Sequence, residues 1–431
     1  MRIDYIIPEQ FESGTIAPRL CEQVGFSVDP VRQEQRIYHD TFDWRLYASG
    51  TVLEETVEGR QRELVLRRLD TGIPLARARL TRRAAFVRDL PPGHLRDELA
   101  PVLEMRELLP LVRIRARVQG LRLLNKQQKT VARLTIEESA LQARKGARAR
   151  PLPGRVTLLP VKGYKKPVMR ITRALEDLQL VPDNRDPALT ALAVADITPG
   201  SYSSKLNLHL EPDMRSDQAT RIILRHLLDT LRMNEAGTRK GSDTEFLHDF
   251  RVAVRRSRSA LGQIKGVLPQ PVLARYRREF AWLGQITGPT RDLDVYLLNF
   301  PEYRDNLPES MRVDLDPLHE YLERHWRAEH TALARALDSA RYRRLVDSWQ
   351  AFLEKPVKER STLPNARLPI RELASQRIWR VYRRILREGK AIEPDTPAPA
   401  LHELRKTAKK LRYLMEFFQS LYPAGNIKHL I

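Results

Sequence analysis

Cysteine is almost absent from this sequence, since Cys21 is the only one in 431 residues. A single thiol excludes an intrachain disulfide and a zinc site built from cysteines. A chain without disulfides suits a reducing compartment, so we expect a cytoplasmic protein.

Long apolar runs are also missing. The N-terminus reads MRIDYIIPEQ, and no long uncharged apolar stretch follows its basic residue or occurs elsewhere. A membrane-spanning helix needs about 20 such residues, and a secretory signal needs about 7 to 15. The sequence therefore predicts neither membrane association nor secretion.

Lysine is scarce, with 16 among 75 basic residues and none in the first 100 positions. Arginine therefore carries most of the excess over 54 acidic residues, which gives a formal net charge of +21. A guanidinium donates two parallel hydrogen bonds to phosphate. An anionic partner would explain this excess of arginine. Genomic base composition together with a solvated surface would explain it equally well, so composition alone does not distinguish these two explanations.

Length and local pattern divide the chain into two domains. Single cores rarely exceed about 250 to 300 residues, and 42% hydrophobic residues suffice for globular folding. Short β-like segments predict an α+β domain at 1–200, and a Pro-, Gly- and Ser-rich stretch at 197–214 marks the boundary. Periodicity then predicts an all-α domain at 215–431, with helices at 216–233, 244–266, 271–287, 290–300, 315–350, 370–389 and 399–421.

An internal repeat is the strongest signal. HDFRVAVRRSR begins at His248 and HELRKTAKKLR begins at His402, an offset of 154 residues (402 minus 248). Both begin with His, an acid, an apolar residue and Arg, and end with two basic residues, any residue and a basic one. The pairs are His248 with His402, Arg251 with Arg405, Arg255 with Lys409, Arg256 with Lys410, and Arg258 with Arg412.

Each copy places its basic residues on one helix face. At about 100° per residue, the histidine and three basic residues fall within about 80°. Such like charges repel by a few tenths of a kcal/mol per close pair, and a bound polyanion removes that penalty. Solvated faces normally interleave acids, which this arc lacks. The opposite sides are predicted to be buried: Phe250, Val254 and Leu261 in one helix, and Leu404, Ala408, Leu411 and Met415 in the other.

Two more helices carry rows of arginine, and each precedes a repeat helix. These rows are predicted to wall the same channel, although single surface arginines commonly lie along apolar neighbours without a ligand. The rows are Arg221, Arg225 and Arg232 in one helix, and Arg377, Arg380, Arg384 and Arg387 in the other.

On these motifs the C-terminal half, about 215–431, resembles the CHAD family of two pseudo-symmetric helical bundles around a basic channel that binds polyphosphate. FAWLGQITGPTRDLDVYLL and LRYLMEFF extend the similarity. In that family another helix follows the second motif, so GNIKHLI leads us to expect a truncated second half. The resemblance implies a non-catalytic binder of inorganic polyphosphate, and the predicted binding residues are His248, Arg251, Arg255, Arg256, Arg258, His402, Arg405, Lys406, Lys409, Lys410, Arg412, Tyr413, Arg221, Arg225, Arg377 and Arg384.

The N-terminal half resembles a CYTH, or triphosphate-tunnel, domain through YHDTFDWRLYASGTVLE, the LVLRR and RIRAR strands and LLPVKGYKK. Such domains are β-barrel tunnels whose active members hold a metal with an E-x-E-x-K signature, where this sequence offers only Asp4. The resemblance implies a degenerate tunnel without catalytic residues. Alternation places a secondary anion site on one strand face, at Arg113, Arg115 and Arg117. Residual metal ligands, if any, would be Glu54, Glu137 and Glu138.

Two other functions stay open at this point. A metal-dependent triphosphate or polyphosphate hydrolase would act through the N-terminal domain and would make Mg²⁺ the only expected cofactor. A basic protein can also bind RNA or DNA, but no nucleic-acid motif occurs. His319, His325 and His330 do not align as metal ligands. We expect polyphosphate as the partner and association with polyphosphate granules.

Overall fold

The computed structural model describes residues 2–8, 11, 13–142, 148–423, 425 and 427. The chain divides into two compact units, residues 1–202 and residues 203–431. The first combines a β-sheet with helices, and the second is helical. The predicted order of an α+β half and an all-α half is confirmed.

The described part of the first unit contains an eleven-stranded antiparallel sheet. Its strands follow the order β11-β1-β10-β8-β7-β3-β4-β5-β6, with β2 beside β7 and β9 beside β8. The strands are β1 (Ile3–Ile6), β2 (Ser27–Val28), β3 (Arg32–Asp40), β4 (Thr51–Glu58), β5 (Gln61–Arg68), β6 (Pro74–Leu80), β7 (Leu109–Leu124), β8 (Thr130–Leu141), β9 (Arg150–Pro151), β10 (Arg155–Pro160) and β11 (Val181–Pro182).

Helices cover parts of this sheet and complete its hydrophobic clusters. One cluster joins β3, β4 and β7 to the fifth helix, because Tyr38, Val52 and Val112 pack with Ala191 and Leu192. Apolar residues on one side of each strand therefore determine which sheet face is buried. The helices of this unit are α1 (Ile16–Val24), α2 (Arg45–Ala48), α3 (His94–Leu103), α4 (Lys165–Asp177) and α5 (Pro187–Val194).

The second unit consists of longer helices around one large core. Trp349, Phe250, Phe280 and Phe417 are at most 2% exposed and belong to the same cluster. None of the described helices is long and apolar enough to cross a membrane. The helices are α6 (Ser216–Lys240), α7 (Thr244–Gln263), α8 (Gln270–Ile286), α9 (Gly288–Asp305), α10 (Asp316–Leu337), α11 (Ala340–Glu354), α12 (Ile370–Lys390) and α13 (Ala398–Phe418).

One predicted helix is wrong in its extent. The single helix expected at 315–350 is two helices, α10 and α11, with a break at Asp338 and Ser339. The Ser339 hydroxyl accepts from the backbone N–H of Tyr342 at 3.2 Å and so caps α11. Serine at this position starts a new helix, although apolar periodicity continues across the break.

A local two-fold relationship joins the starts of α6 and α12. The backbone N–H of Ser216 donates to the carbonyl of Leu368 (2.9 Å), and that of Ile370 donates to the carbonyl of Met214 (2.8 Å). Both pairs of equivalent positions are 154 apart (368 minus 214, and 370 minus 216), the offset of the basic motifs. The helical hairpins α6–α7 and α12–α13 therefore represent two copies of one unit.

Candidate functional site

The first repeat helix, α7, begins behind an acidic cap. Asp243 accepts from the backbone N–H groups of Glu245 (3.0 Å) and Phe246 (3.2 Å), donors that a helix start otherwise leaves unpaired. Phe250 and Val254 are buried, as predicted. Their packing turns the basic residues of α7 away from the core.

The second repeat helix, α13, is buried mainly in its C-terminal half. Leu414 and Met415 are buried, but Ala408 is exposed and Leu404 and Leu411 are only half-buried. The predicted burial of the whole apolar stripe is therefore wrong. The reason is that α13 has fewer neighbouring helices. In the described contacts α7 packs against α6, α8, α9 and α13, whereas α13 packs against α12 and α7.

A groove of about 370 Å³ separates the two repeat helices. Its lining contains five cationic side chains, two from α7 and three from α13, and no carboxylate among the described residues. Exposed Arg255 and Arg258 face this space from one side. The lining residues are Arg255, Arg258, Ser259, Gly262, Gln263, Lys406, Lys409, Lys410 and Tyr413.

The cations of the two helices act on one another across the groove. Burial lowers the pKa of Lys409, and the neighbouring charges of Arg405, Arg255 and Arg412 lower it further. Arg255 belongs to α7 and the other three residues to α13. Mutual repulsion of this kind is relieved by an anion placed between the helices.

Arg256 joins the two repeat helices. Its Nε and Nη2 donate to Glu416 Oε2 on α13 at 3.0 and 2.8 Å, and its Nη1 donates to the carbonyl of Ser204 at 2.8 Å. Arg412 donates to the other oxygen of Glu416 at 2.8 Å. Arg256 therefore positions α7 against α13, a role that differs from the direct anion contact predicted for it.

Arg251 lies deeper than the groove arginines. Its Nη1 donates to Thr287 Oγ1 (2.8 Å) and to the carbonyl of Gly284 (3.3 Å). Burial lowers its pKa, and so does the charge of Arg255, one turn further along α7. These bonds fix one side of the guanidinium against the α8–α9 junction and leave it beside the cationic stripe.

His248 is oriented by Arg291 of α9. The Arg291 guanidinium donates to His248 Nδ1 at 3.0 Å and to the carbonyl of Thr244 at 3.1 Å. Arginine has no acceptor, so Nδ1 must be the unprotonated nitrogen and the ring proton must lie on Nε2. This bond assigns a positioning role to the arginine of the RDLDV sequence.

Residues 222–431 match the family described as the CHAD domain. They are a CHAD domain. The family is associated with polyphosphate. No curated protein matches the chain.

Solved structures that are similar to the chain include the following three. The CHAD domain from the plant Ricinus communis is 27% identical over 53% of this chain and 75% of that chain, with a TM-score of 0.44. PptA from Streptomyces chartreusis is 18% identical over 49% and 78%, with a TM-score of 0.38. A protein from Hippeastrum, titled as an adenylyl cyclase with a dominant triphosphatase activity, is 9% identical over 47% and 99%, with a TM-score of 0.32.

The second copy of the motif in the CHAD domain is more exposed than the first. His402 and Arg405 are exposed on α13. Lys406 lies beside them and pairs with Glu403 at 2.7 Å, an exposed contact of small energetic value. These side chains can turn to a ligand at little cost. The segment GNIKHLI, where a truncation was expected, lies largely outside the described residues.

Arg221 and Arg225 bind the C-terminal end of α11. Both guanidinium groups donate to backbone carbonyls at the end of α11, Arg221 to Lys355 and Arg225 to Leu353 at 2.8 Å. Carbonyls at a helix C-terminus lack partners within the helix. The two arginines thus cap α11, and neither lines the groove.

The predicted arginine row of α12 is split. Arg384 is exposed and pairs with Glu388 one turn away. Arg377, in contrast, is only 8% exposed and does not line the groove. Neither residue therefore lies with the groove cations.

The three histidines of α10 have separate aromatic neighbours. His319 contacts Phe300, and His325 contacts Tyr321. His330 stacks on Trp326. Its Nε2 donates to the Thr238 carbonyl at 3.1 Å, because a carbonyl oxygen only accepts. They do not form a common site.

In the first unit, Arg113, Arg115 and Arg117 are exposed on one face of β7, as alternation predicted. Arg117 pairs with Glu138 of β8 at 3.3 Å. Glu137, the preceding residue of β8, points to the opposite sheet face. The exposed arginines are thus separated by the sheet from Glu137 and the charges around it.

A cluster of half-buried charges on that opposite face surrounds Arg36. Its guanidinium pairs with Glu34 and with Glu137 (2.7 Å), and Glu54 lies at 3.8 Å. Burial opposes the charge of Arg36, but the three glutamates outweigh burial and raise its pKa. Glu54 and Glu137 therefore belong to one cluster, as ionic partners of Arg36. Glu138 does not, and Glu34 was not recognised in the sequence.

The three carboxylates already have a cation. Among the described residues, no group of three or more potential ligands is arranged to hold a metal ion. A guanidinium occupies the centre of the glutamate cluster instead. Sequence alternation in RQEQRIY on β3 places Glu34 and Arg36 on one face, which is the signal that could have identified Glu34.

Proposed function

We propose that the CHAD domain binds inorganic polyphosphate along the groove between α7 and α13 and does so without catalysis. One observation supports this most: five cationic side chains from two copies of one motif line the groove, without a carboxylate in the lining. The protein holds these charges near each other at an electrostatic cost. A linear polyanion would offset that cost.

The geometry suits a chain of phosphoryl groups. Arg255 and Arg258 are one turn apart on α7, and Lys406 and Lys410 are one turn apart on α13. Equivalent groups on one helix face are about 5 to 6 Å apart, so each helix offers donors in a row. Charge-assisted hydrogen bonds to successive phosphoryl oxygens and the release of counterions would drive binding.

Supporting side chains would fix the groove. The Arg256–Glu416 pair sets the spacing of the helices, and Arg291 presents the Nε2–H of His248 as a donor. In this mechanism the positioned groups bind and orient the polymer, and no group acts as a nucleophile. A protein that holds the polymer in this way would associate with polyphosphate granules in the cytoplasm.

The test is calorimetric titration of long-chain polyphosphate into the wild type and into Arg255→Ala/Lys409→Ala. Each lost charge-assisted bond is worth about 1.5 to 3 kcal/mol, so affinity should fall at least about tenfold. The matched control is Arg343→Ala/Arg344→Ala, which removes two exposed charges from α11 and should leave affinity nearly unchanged.

The same titration separates the alternatives. Equal affinity in the groove variant and the control would reject the groove as the binding site. Competition by RNA at physiological salt as effective as that by polyphosphate would favour a nucleic-acid binder. Phosphate release that requires Mg²⁺ would restore the hydrolase hypothesis.

A further inference from the structure

Arg377 is a buried cation that lacks an acidic partner. It lies on α12, is 8% exposed, and its Nε is buried without a hydrogen bond. No described carboxylate lies within ion-pair distance of its guanidinium. Lysine and arginine are almost never fully buried unless they are paired, because desolvating an isolated charge is costly.

Comparison with the other buried arginines makes Arg377 an exception. Four arginines of the described chain are buried, and all are at most 8% exposed. Three of them pair with an aspartate: Arg67 with Asp186 (3.0 Å), Arg106 with Asp43 (3.2 Å), and Arg155 with Asp183 (2.9 Å).

Two further cations lie near Arg377. Lys265 follows α7 and is held by Asn365, whose Nδ2 donates to the Lys265 carbonyl at 2.8 Å. Asn365 also donates from its backbone N–H to the carbonyl of Gly266 at 2.9 Å. Since residue 365 lies in the segment that leads into α12, these bonds connect Lys265 to the helix that carries Arg377.

Arg277 of α8 contributes the third charge. Its Nε and Nη2 donate to the carbonyl of Leu261 at 3.2 and 2.9 Å, which fixes the guanidinium at the end of α7. Burial lowers the pKa of Lys265, and the charges of Arg277 and Arg377 lower it further. The charges of Arg277 on α8 and Arg377 on α12 therefore both act on Lys265, which lies just after α7.

We propose that Arg377, Lys265 and Arg277 form a second anion site, for one tetrahedral oxyanion such as inorganic phosphate or a single phosphoryl group. None of the three lines the groove, so this site does not depend on polymer binding there. Arg377 lies in the second copy of the repeat, Lys265 directly follows the first copy, and Arg277 binds the end of the first copy. A bound oxyanion would therefore stabilise the joint between the two halves.

The test follows thermal unfolding of the full chain by tryptophan fluorescence, in orthophosphate and in chloride at equal ionic strength. At about a hundred times its Kd, phosphate should raise the wild-type Tm by about 5 °C. Arg377→Met should unfold in chloride at the same or a higher temperature than the wild type, and it should lose the response to phosphate. Arg383→Met, which removes an exposed charge from the same helix, should keep it.

An unchanged phosphate response in Arg377→Met would overturn the second site. If that variant does not fold, Lys265→Met is read in the same way: a lost response supports the site, and an unchanged one rejects it. A response to orthophosphate identifies a free anion, and a response to long-chain polyphosphate alone identifies a phosphoryl group of the polymer. Arg255→Ala/Lys409→Ala should keep the orthophosphate response, which separates this site from the groove.

Discussion

The side chains of Arg256 and Glu416 form an ion pair that holds the two basic helices of the CHAD domain together. The shorter N–O distance is 2.8 Å, and the side chains are 14% and 7% exposed. Loss of one partner from a buried pair leaves an uncompensated charge. This pair therefore fixes the width of the groove and does not compete for its ligand.

Replacement of Glu416 should lower the stability of the domain without removing a contact to the ligand. In Glu416→Gln, Arg256 keeps its position but loses its counter-charge, and the free energy of unfolding should fall by about 3 kcal/mol. Urea denaturation measures the change. Glu323→Gln breaks an exposed pair with Arg327 and should cost less than about 1 kcal/mol; equal losses in both variants would mean that burial of the first pair is unimportant.

The bond from Arg291 to His248 predicts one tautomer. Nitrogen-detected NMR of histidine-labelled protein should show His248 protonated at Nε2 and unprotonated at Nδ1 near neutral pH. In Arg291→Met the donor to Nδ1 is gone, so both tautomers should become populated and polyphosphate affinity should fall several-fold. An unchanged ring spectrum in this variant would remove the positioning role of Arg291.

Local pattern was sufficient to predict the elements of the site but not its pairing. The motif spacing predicted the stripes of α7 and α13, because helical periodicity is a local property. The bond between Arg256 and Glu416 joins residues 160 positions apart, and no local signal indicates it. The capping of α11 by Arg225 likewise depends on tertiary packing, so the sequence could not distinguish this arginine from a ligand.

Asp294 predicts a pH dependence of stability. It is 3% exposed, and burial raises its pKa from 3.8 to about 6, although Trp326 donates to it at 2.7 Å. The folded state therefore binds this proton more tightly than the unfolded state. Its contribution to stability is present below about pH 4 and is lost as the pH rises to about 6. Asp294→Asn should match the wild type at pH 4 and exceed it by about 2 to 3 kcal/mol at pH 7.5.

Asp40 of the first unit is also a buried carboxylate, but its replacement by asparagine should lower the stability. Burial also raises its pKa to about 6, but its two oxygens accept backbone N–H groups from Thr41 (2.7 Å), Leu46 (2.9 Å) and Tyr47 (2.9 Å). An asparagine has one acceptor oxygen, so Asp40→Asn should lose about 1 to 2 kcal/mol at pH 7.5. If both asparagine variants were stabilised, hydrogen bonding to the carboxylate would have no measurable part in either site.

Arg36 should be essential to the first unit because it is the cation between three glutamates. Arg36→Met leaves Glu34 and Glu137 without this cation and Glu54 with Arg67 alone, and the free energy of unfolding should fall by about 3 to 5 kcal/mol at pH 7. The deficit should shrink in acid, because a protonated carboxyl group no longer repels its neighbours. Urea denaturation of the first unit at both pH values measures this difference.

The matched control for Arg36 lies on the other face of the same sheet. Arg117 pairs with Glu138, the residue after Glu137 on β8, and both side chains of this pair are at least 40% exposed. Arg117→Met should therefore change the free energy of unfolding by less than about 1 kcal/mol at either pH. A deficit for Arg36→Met that persists unchanged at low pH would show that lost packing, and not the unbalanced charge of the glutamates, causes it.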